Sequence, residues 1–180
     1  MSALTRNPTN KDLLQSTKYR LNFDRLSGMT FFCQSVTLPG LSLTEVPLYT
    51  PFIDLYAPGE KLMYDTLNVS FLIDEDLRDW QQIHDWLRGM TFPHDFEEYR
   101  NLKNQSKNSM VRSANKMPPQ YTDASMTIYS NKNNPNIRIH YKDLFPTSLG
   151  GLMFNSADSA ENIITADATF RFSYFNIERL

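Results

Sequence analysis

Cysteine, glycine and long apolar runs are scarce in this chain. A single cysteine among 180 residues, Cys33, excludes an intramolecular disulfide and any multi-cysteine zinc site. There are six glycines, and the doublet Gly150-Gly151 lacks the following Lys-Ser or Lys-Thr of a phosphate-cradling loop. No apolar stretch approaches the roughly 18 residues needed to span a bilayer. The start, Met1-Ser2-Ala3-Leu4-Thr5-Arg6, lacks the apolar core of a signal peptide. Neither sign of charge dominates: 18 Lys and Arg against 20 Asp and Glu give a net charge of −2. A dedicated nucleic-acid binder usually carries a clear basic excess, so that balance argues against one. Together these absences lead us to expect a soluble chain kept in a reducing compartment.

What is abundant is apolar and aromatic. Apolar residues make up 41% of the chain and aromatics 13%, with 12 Phe and 9 Tyr, a composition that suits strands. The length fits one domain. Residues 1 to 16 are polar and without period, which suggests a free arm, so the folded domain is expected over 17 to 180. Alternation at Tyr19, Leu21 and Phe23, a turn at Ser27-Gly28 and a second run from Met29 to Thr37 read as a hairpin. From 66 onward Leu67, Val69, Phe71 and Ile73 alternate again. Asp74 then caps an expected helix over Glu75 to Arg88, whose stripe is Leu77, Trp80, Ile83 and Leu87 and which Gly89 closes. Trp80 and Leu87 should therefore be buried. Residues 97 to 120 read as a long polar loop holding at most a short helix. Strands follow at Ala124–Tyr129, Ile137–Tyr141 and Ile163–Phe175. Many strands with one helix predict a mainly β fold, a sandwich or partly closed barrel with the helix laid against it.

Residues 41 to 64 fit neither a central strand nor a linker. Four prolines, Pro39, Pro47, Pro51 and Pro58, interrupt the segment between 38 and 64, and proline cannot donate to a ladder. Yet Leu43, Val46, Leu48, Phe52, Ile53, Leu55 and Tyr56 make it too apolar for a solvated loop. An edge hairpin whose apolar face meets another chain reconciles the two facts.

Chemistry finds little support. His84, His94 and His140 offer no i, i+4 pair for a helical metal site. Cys33 lies in an aromatic run, where a thiol behaves as a small apolar group. The acids Asp74, Glu75, Asp76 and Asp79 are explained by the positive end of a helix dipole. The basic residues Arg100, Lys103, Lys107, Arg112 and Lys116 have no acid from Tyr99 through Thr122. Their flanking aromatics, Tyr99 and Tyr121, stand only at the ends, so a stacking platform for single strands is missing. A docking patch for an acidic protein fits them better. No catalytic residue, cofactor or metal is expected. A small ligand-binding barrel or enzyme remains the reading of a different class.

The order of the pieces resembles the tail tube proteins of contractile-tailed, T4-like bacteriophages. The likeness is carried by Phe31-Phe32-Cys33-Gln34-Ser35-Val36-Thr37-Leu38-Pro39-Gly40, by Ala57-Pro58-Gly59-Glu60, by Asp74-Glu75 with Asp85-Trp86 on the helix, and by Asp143-Leu144-Phe145-Pro146-Thr147-Ser148-Leu149-Gly150 before a long alternating strand. It covers roughly 17 to 177. The resemblance implies a virion structural protein, not an enzyme, whose protomers close hexameric rings. Stacked rings would make the channel for DNA in a contractile tail, assembled in the host cytoplasm. Its implied partners are further copies of itself, sheath and baseplate or neck proteins, and passing DNA in transient contact. A length near one tube domain favours the repeating subunit. A baseplate initiator, a neck terminator or a type VI secretion-like tube protein are the alternatives. Residues 43 to 56 would then contact neighbouring copies, and the basic cluster would lie outside as a docking patch. The polar face of the C-terminal strand, Thr165, Asp167, Thr169, Arg171 and Ser173, would line the channel.

Overall fold

Period-two alternation builds most of the molecule. The computed structural model describes residues 12–26, 28–91, 93, 95–106, 120–157 and 163–180. Its strands are β1 (Tyr19–Phe23), β2 (Cys33–Val36), β3 (Leu41–Tyr49), β4 (Asp54–Tyr64), β5 (Leu67–Leu72), β6 (Thr122–Tyr129), β7 (Pro135–Leu149), β8 (Thr165–Arg171) and β9 (Tyr174–Arg179). The helices are α1 (Met29–Phe32), α2 (Arg78–Thr91) and α3 (Phe96–Ser106). Seven strands form one sheet in the order β1-β6-β7-β8-β5-β2, with β9 added beside β7, while β3 and β4 pair only with each other.

The long strand β7 makes the sheet curl. Its first part, Ile137 to Lys142, pairs with β9, and its later part, from Phe145, pairs with β8. Between the two, Asp143 takes a left-handed backbone (φ 55°), a conformation that is uncommon outside glycine and here marks the bend. The Asp123 carboxylate holds that bend, accepting from the Asp143 amide at 3.3 Å and from the Lys142 ammonium. Curling brings the two end strands together. The Tyr19 hydroxyl on β1 donates to the Gln34 carbonyl on β2 at 2.6 Å, a side-chain link across a seam that no ladder closes. The sheet curls without closing, within the mainly β expectation of a sandwich or partly closed barrel.

Inside, the register lines up apolar rows. Leu21, Met126 and Ile139 share one row, and Phe23, Ala124 and Tyr141 the next. On the other half Val69, Ala168 and Leu149 align, as do Leu67 with Phe170 and Phe71 with Ala166. The Phe23 and Phe170 rings meet at 5.2 Å and join the halves. Each large side chain fully buried here contributes roughly 1.5 to 3 kcal/mol.

The first two strands do not form a hairpin. β1 pairs with β6, β2 pairs with β5, and Met29–Phe32 is a turn of helix with Met29 buried. Gly28 explains the path: a Cβ there would lie 2.0 Å from the Asp79 Oδ1 of α2. The chain therefore tucks under α2 instead of returning along β1. A short apolar run reads alike as strand or buried helix, which is why the sequence misleads here.

Helix α2 is also shifted from its expected register. Asp74 caps it, accepting from the Arg78 amide at 2.9 Å, but Leu77 is left-handed (φ 56°) and the helix starts only at Arg78. Its buried face is Asp79, Ile83, Trp86 and Gly89. Trp80 is only partly buried; its indole N–H donates to the Gly150 carbonyl at 3.1 Å and its ring stacks on His84. Leu87 is likewise partly buried. Gly89 does not end the helix. It lies where α3 crosses, 3.0 Å from Leu102 Cβ to an added Cβ, so its small size serves helix packing. Helix α3 itself occupies the start of the expected loop. The expected strand from Ile163 to Phe175 is two strands broken near Ser173, whose amide donates to the Lys142 carbonyl at 3.0 Å. Tyr174 lies beyond that break and is exposed.

The seam sets an alkaline limit. Burial, then the nearby Cys33 thiol, pushes the Tyr19 phenol up to about 12, and burial pushes Tyr141 up as well. Both phenols ionise near pH 10 in the unfolded chain. Their contribution is thus fully present below about pH 10 and is lost as pH rises through the folded values. Stability followed by circular dichroism should be flat from pH 8 to about 10 and then fall. Tyr19→Phe should flatten part of that fall; an unchanged alkaline limb would contradict the burial of this phenol.

Candidate assembly surface

The β3–β4 hairpin stands apart from the barrel. At its base the Asp65 amide donates to the Gly40 carbonyl at 3.1 Å, and Leu41 pairs with Tyr64. At its tip Thr50 Oγ1 accepts from the Ile53 amide at 3.2 Å and folds the loop that carries Phe52. Pro47 and Pro58 sit in register opposite Tyr56 and Glu45. Proline is tolerated here because both strands of a two-stranded sheet are edges.

Midway the register slips between Leu43 and Glu45. Thr44 Oγ1 spans the slip, donating to the Lys61 carbonyl at 3.3 Å. Gly59 lies in the slip, where an added Cβ would be 2.5 Å from the Thr44 carbonyl oxygen. The sequence Ala57-Pro58-Gly59-Glu60 is therefore an irregularity inside β4. Gly59→Ala should force the strands apart at that point. We expect faster amide exchange in the lower hairpin with an unchanged melting transition for the barrel; a protected hairpin would show that the backbone accommodates the methyl.

All seven residues expected on the assembly segment lie on this projection. Leu43, Val46, Leu48, Phe52, Ile53, Leu55 and Tyr56 are each exposed, Phe52 at 98%. The register puts Val46, Leu48 and Leu55 on one face and Pro47 and Tyr56 on the other, so both faces are apolar. Leu41, Tyr49, Leu62 and Met63 are exposed beside them and were missed. The alternation of Leu41 and Leu43 and the run Leu62-Met63-Tyr64 were the available signal. A two-stranded sheet this apolar is marginal alone in water and needs a partner surface.

The basic cluster is not assembled in the same way. Arg100 is exposed on α3, and Lys103 lies on the same helix. Lys107, Arg112 and Lys116 fall outside the described residues. Met153, Phe154 and Ile163, in the connection from β7 to β8, are further exposed apolar side chains that sequence reasoning missed. Thr165 pairs with Leu72 and Phe170 with Leu67, so Ile163 and the hairpin lie at opposite ends of the β5–β8 ladder.

No side-chain cluster among the described residues converges on a reacting centre. Among the described residues no three His, Cys, Asp or Glu side chains are arranged to hold a metal. Burial pushes the Cys33 thiol up, which disfavours the thiolate, although the Tyr19 hydrogen bond opposes this in part. His84 lies 3.2 Å from the Asp85 carboxylate on α2, and His140 lies 3.4 Å from Glu178 on another element. His94 is outside the described residues. Buried Asp79 meets Gly28, and its carboxyl is pushed up by burial and then by Asp74.

Residues 7–178 match the family described as phage tail tube protein. The chain belongs to that family. A relative is the tail tube terminator protein of Enterobacteria phage T4, 24% identical over 159 residues that cover 85% of this chain and 80% of that protein. Among solved structures, the anti-feeding prophage tube terminating cap superposes with a TM-score of 0.64 at 10% identity, covering 100% of both chains. A chain of the extracellular contractile injection system (PVC) sheath/tube terminator gives 0.57 at 10% identity, over 95% of this chain and 99% of that one. At such identity these superpositions show the fold. A tail tube-type structural protein is a component of the virion particle.

Proposed function

We propose that this chain forms the ring that terminates a phage tail tube. The single observation that carries this reading is the similarity to the T4 tail tube terminator protein along most of both chains. The length argument for a repeating subunit loses its force, because that terminator is of comparable size. Six copies per ring is the expected number, in line with the anti-feeding prophage baseplate, which is described as 6-fold symmetrised and shares the fold at a TM-score of 0.53 and 7% identity. In this reading the hairpin residues Leu43, Val46, Leu48, Phe52, Ile53, Leu55 and Tyr56 meet a neighbouring copy or the last ring of the tube. The partners are tube, sheath and neck proteins, with Arg100, Lys103, Lys107, Arg112 and Lys116 as an outward docking patch. No catalysis is part of the role.

The bore follows from charge. A polyanion slides best past side chains that hold no phosphate. The outer rows of the β2–β5–β8 sheet are Ser35, Ser70 and Asp167, then Asn68, Thr169 and Ser148, all neutral or acidic. The rows of the β1–β6–β7–β9 sheet carry Arg20 and Arg138 around Thr127. The first face carries one cation, Arg171 at its end, where the other row carries two. It is therefore the face along the channel in this reading, with Thr165 at its opposite end.

A repeating tube subunit is the second reading. It is favoured by the superposition on the PVC sheath-tube complex, with a TM-score of 0.58 at 10% identity over 100% of this chain and 99% of that one. Electron microscopy of concentrated purified protein separates the two. Single rings that also arrest growth of the cognate tube support the terminator. Long tubes from this chain alone support the repeating subunit, and persistent monomers that leave tube growth unaffected overturn both.

A further inference from the structure

We propose that Tyr64, Tyr141, Phe172 and Phe175 form an aromatic latch that couples the projecting hairpin to the C-terminal strand, so that a partner gripping one resets the other. Its functional meaning rests on the reading of the hairpin as an assembly surface; the coupling itself does not. Tyr64 is the last residue of β4 and packs against the barrel core. Its ring meets Phe172 at 5.6 Å and Phe175 at 5.5 Å, edge to face in both cases. These two phenylalanines bracket the corner where β8 becomes β9, and their rings lie 6.0 Å apart. Phe175 in turn pairs across the ladder with Tyr141, whose ring is 5.2 Å from Phe172 and 5.9 Å from Phe175. One cluster thus holds both the root of the hairpin and the start of β9. Strand β9 has β7 as its ladder partner and exposes Ile177 and Leu180 near its end, so it is a second surface available for contact.

The latch is built to open. The Tyr141 hydroxyl is buried and has no hydrogen-bond partner among the described residues. A buried, unpaired hydroxyl is costly, and that cost offsets part of the ring packing. The closed arrangement carries that cost, so loosening the cluster costs less than its ring contacts alone would set. A force on the hairpin then reaches β9 through Phe175, and a force on β9 reaches the hairpin through Tyr64.

Native-state amide exchange on the free, full-length chain tests this without any need for rings. Losing edge-to-face contacts of this kind changes local opening by about tenfold. Tyr64→Ala should therefore speed exchange about tenfold both in Asp54–Tyr64 and in Tyr174–Arg179. Phe175→Ala should do the same in reverse, and Tyr141→Phe should slow exchange in both segments. Phe52→Ser at the tip serves as the control and should leave β9 unchanged. If Tyr64→Ala weakens the whole fold, Tyr64→Leu, which keeps an apolar group, should still loosen both segments together. A hairpin that loosens while β9 stays at its wild-type rate overturns the proposal. Failure to form rings would overturn the terminator reading and leave this result standing.

Discussion

Trp86→Ala should cost about 3 to 5 kcal/mol, enough to bring a domain of this size close to unfolding. The ring is almost fully buried, lies 6.4 Å from Phe170, and donates its indole N–H to the Gln120 carbonyl at 3.0 Å. The Arg25 guanidinium stands 4.8 Å over its face. Burial already depresses the Arg25 pKa to about 10, so removing the ring also strips a desolvated cation of its aromatic support. Trp80→Ala should cost less, about 1 to 2 kcal/mol, because that ring is only partly buried. Urea unfolding of the two variants checks the order. A larger loss at Trp80 would mean that the helix presents the opposite stripe to the core.

The double substitution Phe52→Ser and Ile53→Ser should leave the fold within about 0.5 kcal/mol of the parent, since both side chains are exposed in the isolated chain. Assembly should behave differently. Two apolar anchors removed from the centre of an interface, at about 1 kcal/mol each or more, should weaken association by at least about thirtyfold per contact. A closed ring compounds that loss around its circumference. Sedimentation of parent and variant, paired with their thermal unfolding, reads both quantities. Unchanged assembly would remove the hairpin tip from the interface, and a lowered melting temperature would show that the tip packs on its own barrel.

The sequence made those two surfaces unequally legible. The alternation of Leu67, Val69 and Phe71 identifies β5 because one face of that strand is buried and the other is not. The apolar hairpin was legible for the opposite reason: Pro47 and Pro58 excluded a central strand while Leu43, Val46 and Leu48 excluded a solvated loop. The register of α2 was not legible, because it depends on the left-handed residue Leu77, which delays the helix to Arg78 and turns Trp86 inward in place of Trp80. Gly89 carried the same signal as a helix stop, and only the crossing of α3 gives it another purpose. Strand β7 runs through the bend at Asp143, and the break at Ser173 answers to a carbonyl 31 positions away, at Lys142. Long-range pairings of this kind leave no local pattern. The exposed side chains Met153, Phe154 and Ile163 were missed because they are scattered over two ends of one connection.

The central claim is that the apolar hairpin is the surface by which this tail tube-type protein joins its neighbours. A cryo-electron microscopy reconstruction of the assembled ring tests it most directly. The account predicts Phe52, Ile53 and Leu55 buried against a neighbouring copy or the adjoining tube ring, with Ser70, Asp167 and Thr169 facing the bore. A ring in which the hairpin extends freely into solvent, with the contacts made elsewhere on the barrel, would contradict it.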